Sequence, residues 1–153
     1  MRAEQSKGKP MKKIIFTHTT EETELAGKEF AAALSLGDFV AMRGDLGVGK
    51  TAFIRGMAQC LAPRARVQSP TYQIVNEYRG GKIPFYHFDM YRIDDEDSLT
   101  STGYFDYIEN GICAVEWSEK IEDFIPEDHI VVTILKVPED VNSRKITIER
   151  VTG

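Results

Sequence analysis

The stretch Asp38-Phe39-Val40-Ala41-Met42-Arg43-Gly44-Asp45-Leu46-Gly47-Val48-Gly49-Lys50-Thr51 decides how the rest of the chain is read. Its first half is an apolar run of the length of a buried strand. Its second half, Gly44 to Thr51, fits the phosphate-binding pattern G-x-x-x-x-G-K-[ST] at every fixed position. From Thr51 to Leu61 the apolar residues Ile54, Met57, Ala58 and Leu61 recur at helical spacing. Strand, glycine loop and helix in that order aim unpaired backbone N–H groups and the positive helix end at a phosphate. The glycines let the backbone approach the anion, the Lys50 ammonium reaches the β- and γ-phosphates, and the Thr51 hydroxyl ligates Mg²⁺. An ordinary glycine-rich turn has no need of Lys50 and Thr51 after its third glycine.

Upstream, Met1 to Pro10 is polar, Lys-rich and without periodicity, which predicts a flexible N-terminal tail ahead of one domain spanning residues 11–153. Lys13 to Thr17 reads as a first strand. Thr19, with Glu22 three residues on, forms a capping box, and Ala26, Phe30, Ala33 and Leu34 make the apolar stripe of a helix expected to end near Leu36, with Gly37 as a left-handed cap.

Downstream, Pro70 pushes Ser69 into extended backbone. Ile74 to Tyr78 and Ile83 to Phe88 flank Arg79-Gly80-Gly81-Lys82 as a β-hairpin, and along its second arm Phe85, His87 and Asp89 share a face. The acidic run Asp94 to Asp97 is read as a solvated loop or helix start, followed by helical or irregular chain up to Gly111. Ile112-Cys113-Ala114-Val115 suits a buried parallel strand ending in Glu116 and Trp117. His129 to Val137 and Arg144 to Val151 read as strands around a loop, Pro138 to Ser143. Strands interleaved with helices imply an α/β fold, a three-layer sandwich like that of the phosphate-loop NTPases, with a mixed, mainly parallel central sheet and antiparallel strands at the margins.

In such sheets ligands sit at the carboxyl ends of parallel strands. Mg²⁺ on a triphosphate takes hard oxygen ligands, usually one or two carboxylates, and an acid after a buried strand is their usual source. Glu116 meets that rule and Asp89 is the second candidate; either could instead be a strand-end cap or half of a salt bridge. Ser69, Thr71 and Tyr72 follow the loop where a switch-like nucleotide sensor sits, or form a hydroxyl turn beside the proline. Trp117 is a core aromatic or a partner-facing anchor.

Composition narrows the function classes. The 153 residues are 42% hydrophobic and 28% charged with a net charge of −5, which argues against a broad electrostatic grip on nucleic acid. No run approaches the roughly 18 apolar residues of a membrane span, and the N-terminus lacks the apolar core of a secretory signal, so a cytoplasmic protein is expected. Cys60 and Cys113 are read as small core residues, and the scattered His18, His87 and His129 offer no zinc site.

The segments Gly44 to Thr51, Ser69-Pro70-Thr71-Tyr72, His87-Phe88-Asp89-Met90-Tyr91-Arg92 and Val115-Glu116-Trp117-Ser118-Glu119 together resemble, in order and spacing, the TsaE (YjeE) family, bacterial ATPases required for threonylcarbamoyl modification of adenosine 37 of tRNA. The resemblance covers roughly Lys13 to Arg150. It implies ATP bound by Leu46, Gly47, Val48, Gly49, Lys50 and Thr51, and Mg²⁺ held through Thr51, Asp89 and Glu116. Lys50 and Glu116 would be catalytic, and Ser69, Thr71 and Tyr72 a switch-like loop. Trp117 would contact a partner or couple to it, and the base would lie near the segment containing Thr20. It also implies work with the TsaB–TsaD heterodimer, where ATP hydrolysis resets TsaD between turnovers, with tRNA met only through the complex. Ala52 and Ser118 depart from the family pattern, the latter where Pro is frequent. A small-molecule kinase is the alternative, disfavoured by the lack of an arginine-rich lid. A regulatory GTPase would need N/T-K-x-D and D-x-x-G motifs, which the chain lacks. With no arginine placed as a finger, the isolated chain is expected to hydrolyse ATP slowly.

Overall fold

The computed structural model describes residues 11–44, 49–64 and 74–152. In chain order these form β1 (Met11–Thr17), α1 (Thr20–Ala31), β2 (Phe39–Arg43), α2 (Lys50–Leu61), β3 (Val75–Tyr78), β4 (Phe85–Asp89), the short helices α3 (Glu96–Ser101) and α4 (Tyr104–Tyr107), β5 (Ile112–Glu116), a 3₁₀ segment (Ser118–Phe124), β6 (His129–Val137) and β7 (Asp140–Val151). The N-terminal tail expected over residues 1–10 lies outside the described residues.

The strands make one seven-stranded sheet in the order β1-β7-β6-β2-β5-β4-β3. Its middle is parallel, β6 with β2, β2 with β5 and β5 with β4. Its margins are antiparallel, β1 with β7, β7 with β6 and β3 with β4. This is the mixed sheet expected from the sequence.

Two apolar cores explain why the central strands read as unbroken hydrophobic runs rather than alternating ones. On one face Val40, Met42, Ala114 and Ile134 pack against Ala26 of α1 and Phe53, Ile54 and Met57 of α2. On the other, Phe39, Ala41, Cys113, Val115 and Phe88 pack against Met90, Leu99, Tyr104 and Ile121. Neighbours along a strand thus face opposite layers. The second layer stops short of the β1–β7–β6 half, where Ile14, Phe16 and Leu135 stay exposed.

Two glycines let α1 and α2 approach closely. A Cβ on Gly27 would lie 2.1 Å from the Phe53 carbonyl oxygen, and one on Gly56 would lie 1.8 Å from that of Glu24. An ion pair between Arg55 and Glu24 at 2.7 Å ties the same two helices. At the start of α1, Thr19 Oγ1 accepts from the Glu22 N–H at 3.0 Å, but the Glu22 carboxylate accepts from the His18 N–H at 2.8 Å. The reciprocal half of the capping box has therefore moved one residue outward.

Helix α1 ends at Ala31, five residues before the expected Leu36. Ala33 and Leu34 turn instead through tighter bonds to the Phe30 and Ala31 carbonyls, and Ser35 N–H donates to the Asp38 carboxylate. Gly37 is left-handed, at φ 91°, but it serves the entry to β2, donating its N–H to the Gly111 carbonyl. Strand β7 begins at Asp140, so the loop expected over Pro138 to Ser143 shrinks to a turn at Pro138 and Glu139 with a register shift beside Val137. Side-chain bonds rather than apolar periodicity hold this segment. Buried Ser143 donates to Asp140 at 2.8 Å and bonds to His18 Nδ1 at 2.8 Å.

Candidate functional site

The parallel strands β2, β5 and β4 are neighbours, so their carboxyl ends open on one edge of the sheet. Met42 pairs with Glu116, and Glu116 with Asp89. By the two-residue alternation Glu116 follows Ile112 and Ala114, while His87 and Asp89 follow Phe85, all members of the core under α1 and α2. Both acids and His87 therefore face the layer whose helix α2 starts at Lys50. The backbone at the strand ends is tied together as well: Met90 N–H donates to the Glu116 carbonyl at 3.0 Å.

Helix α2 begins after Gly49, which has the left-handed φ of 104° and offers no side-chain cap. The N-terminal turn of a helix points its N–H groups and its positive end at whatever lies before it, a natural place for an anion. The beginning of α1 lies beside it, since a Cβ at Gly49 would be 3.6 Å from the Thr23 side chain. Thr23 Oγ1 is in turn bonded to Thr17 Oγ1 at 2.8 Å. Thr20 is exposed on the same first turn of α1.

Lys50 is buried, and its ammonium donates to the Gly44 carbonyl at 2.9 Å while lying 5.8 Å from the centre of the Trp117 ring. The carbonyl and the indole face compensate part of the loss of water around the charge. The same contact joins the start of α2 to the residue just after Glu116. Trp117 itself is left-handed at φ 58°, a costly backbone for a bulky residue and one that gathers at functional sites. Tyr91, 58% exposed, packs on the Trp117 ring at 4.9 Å between centroids, adding an aromatic rim to the opening. Ser118, which stands at the family's frequent proline, is buried with its hydroxyl unpartnered among the described residues.

The two acids are held differently. Asp89, half-buried, accepts from the Tyr91 N–H through Oδ1 at 3.0 Å, in a local turn. Glu116 is only 9% exposed, and its Oε2 accepts from Nε2 of the wholly buried His87 at 2.6 Å. These are hard oxygens suited to Mg²⁺, which keeps several waters and needs one or two protein carboxylates beside substrate phosphates. Among the described residues no three His, Cys, Asp or Glu side chains cluster as a metal cage. The donors thus fit an ion brought in with a phosphate better than a site built wholly from protein.

The structure brings together Lys50, Asp89, Glu116 and Trp117, and sets Thr51 next to Lys50 at the start of α2. Leu46, Gly47 and Val48, and the switch-like Ser69, Thr71 and Tyr72, lie outside the described residues. The reading of the sequence gave His87 and Tyr91 no role of their own. For His87 the signal was present: a polar ring at the position sharing a face with Phe85 and Asp89 on a buried strand.

The family model described as threonylcarbamoyl adenosine biosynthesis protein TsaE matches residues 17–146. The chain is 38% identical over 136 residues to the Bacillus subtilis tRNA threonylcarbamoyladenosine biosynthesis protein TsaE, covering 88% of this chain and 84% of that one. It is 42% identical over 114 residues to the Haemophilus influenzae protein of the same name, covering 71% and 72%. It is 35% identical over 142 residues to the Aquifex aeolicus protein of that name, covering 90% and 96%. Among solved structures it resembles the crystal structure of Bacillus subtilis YdiB, with a TM-score of 0.74 and 32% identity over 94% of this chain and 88% of that one.

Proposed function

Because the chain belongs to the TsaE family, we propose that it is a Mg²⁺-dependent ATPase of the cytoplasm that acts on the TsaB–TsaD complex during threonylcarbamoyl modification of tRNA. The observation that carries the reading is the placement of Lys50, at the N-terminus of a helix entered from a phosphate-loop sequence, beside the paired strand ends of Asp89 and Glu116. Lys50 would leave the Gly44 carbonyl for the β- and γ-phosphate oxygens, exchanging a neutral acceptor for an anionic one. The N–H groups at the start of α2 would turn to further phosphate oxygens. Thr51, Asp89 and Glu116 would hold Mg²⁺, which when bound offsets charge on the β- and γ-oxygens.

In this reading Glu116 orients the water that attacks the γ-phosphorus. Its Oε2 is engaged by His87, so Oε1 would serve the ion and the attacking water beside it. Attack would form the new phosphorus–oxygen bond as the bond to the β-phosphate bridging oxygen breaks, giving ADP and inorganic phosphate, with the proton lost by the water passing to solvent. Trp117 and Tyr91 form the rim that a partner would meet first. Contact with tRNA would come through the assembled complex, in keeping with the net charge of −5.

The test measures ATP binding, phosphate release with Mg²⁺ or with excess EDTA, and association with purified TsaB–TsaD. Binding with slow, EDTA-sensitive release and stable association is the expected result. A chain that neither binds ATP nor associates would overturn it, and transfer of the γ-phosphate to a metabolite would favour a kinase.

A further inference from the structure

The His87 ring is fully buried, and the Glu116 carboxylate is the hydrogen-bond partner it has among the described residues; Nδ1 has none. Burying an imidazole is unfavourable unless its polar atoms are satisfied, and an apolar side chain here would simply extend the core that Phe85 joins on the same face. A polar ring retained at such a position with one bond, to one oxygen of a site carboxylate, has its reason in that bond. Resting on the ATPase reading above, we propose that His87 is a positioning residue that fixes the rotation of the Glu116 carboxylate.

A carboxylate accepts, so Nε2 carries the hydrogen and donates to Oε2. The terminal torsion of a glutamate is broad and soft, so an unheld Glu116 would sample many orientations of its two oxygens. A 2.6 Å bond from a ring locked between packed strands selects one of them. His87 pairs with Ala114, two residues before Glu116, so the bond runs diagonally across adjacent parallel strands and inherits their rigidity. Oε2 is thereby committed to protein and Oε1 is presented in a set direction. Errors of about 1 Å in a reacting geometry are worth about 100-fold in rate. Losing a partner behind a ligating side chain typically costs about 10–100-fold.

Phosphate release and ATP affinity are compared for the wild type, His87→Leu and His87→Gln, each also made with Glu116→Ala. His87→Leu removes the donor and keeps an apolar body, whereas His87→Gln returns an N–H near the position of Nε2. The expected result is kcat lowered about 10–100-fold in His87→Leu, with ATP affinity within about threefold, and recovery of most of the loss in His87→Gln. With Glu116→Ala already present, His87→Leu should change kcat no further, because its target is gone. A purely structural role would instead lower stability and affinity in both His87 variants and add to Glu116→Ala. That outcome, or unchanged kcat in His87→Leu beside an active wild type, overturns this inference alone. A wild type inert towards ATP overturns the proposed function and this inference with it.

Discussion

Substituting Gly56 by Ala tests the closeness of α1 and α2 and, through it, how the start of α2 is placed. In an isolated helix the change would stabilise by about 1 kcal/mol, since alanine is the better helix former. Here the new methyl would sit 1.8 Å from the Glu24 carbonyl oxygen and 2.7 Å from its carbon. Both obstacles are backbone, which no rotamer change can move. Reaching ordinary contact near 3.4 Å asks the helices to separate by about 1.6 Å along that line, which would open the packing of Phe53 and Ile54. Overpacking of this kind costs about 1–3 kcal/mol and occasionally more, and a rigid double obstacle belongs at the upper end. After the propensity gain the net loss should be about 2 kcal/mol. For a domain of this size that is a fall in Tm of about 4–8 °C. Thermal and urea unfolding followed by circular dichroism would read it, with Gly27→Ala giving a similar loss. The two together should cost less than their sum, because one separation relieves both contacts. ATP affinity should fall as well, since Lys50 and Thr51 move with the helix. A raised Tm in Gly56→Ala would show that propensity outweighs packing and would refute the reasoning.

Lys50→Ala should abolish measurable ATP binding by calorimetry, whereas Glu116→Ala should keep affinity within a few-fold and slow hydrolysis to a lower but measurable rate; equal loss of binding in both would show these roles wrongly divided. Isolated chain should turn over far more slowly than typical kinases, at about 1–100 s⁻¹, and a rate in that range without a partner would contradict the missing arginine finger. Burial pushes the Cys113 thiol up to about 12, whereas Cys60 is half-buried, so a thiol reagent at pH 8 should label Cys60 and reach Cys113 only on unfolding. Because the folded thiol titrates above its ordinary value of 9.0, its contribution to stability is complete below that pH and declines as pH rises towards 12; urea midpoints of wild type and Cys113→Ala across that window would show it. Asp140 is held below the usual carboxylate range, first by the Ser143 hydroxyl and then by the Asn142 N–H. Ser143→Ala should raise its pKa, as read by carboxyl carbon NMR, and an unmoved titration would deny the bond.

The parallel middle of the sheet was legible because burial on both faces leaves an unmistakable signature: β2 and β5 are apolar at every position until Arg43 and Glu116. The phosphate-loop pattern and the acids ending β4 and β5 were equally plain, since strand ends can be counted from the sequence. Places held by side-chain bonds to distant partners were not. Asp140 to Ser143 reads as loop because three of its four residues, Asp140, Asn142 and Ser143, are polar turn formers, yet Ser143 is buried and bonded to His18, 125 residues away. The end of α1 is hidden for a related reason, since Ala33 and Leu34 keep the apolar stripe going while Asp38 draws the chain into a turn. The face that His87 shares with Asp89 is legible, but its bond to Glu116 is not, because that partner lies 29 residues further on.

Trp117 is the sole tryptophan of the chain, and its indole lies against the Lys50 ammonium and the Tyr91 ring. Its indole emission therefore arises from one spot, beside the start of α2 and the end of β5. Drawing the lysine away towards an incoming anion would change the field across the indole, so the protein carries its own optical gauge of occupancy, readable in real time without any label.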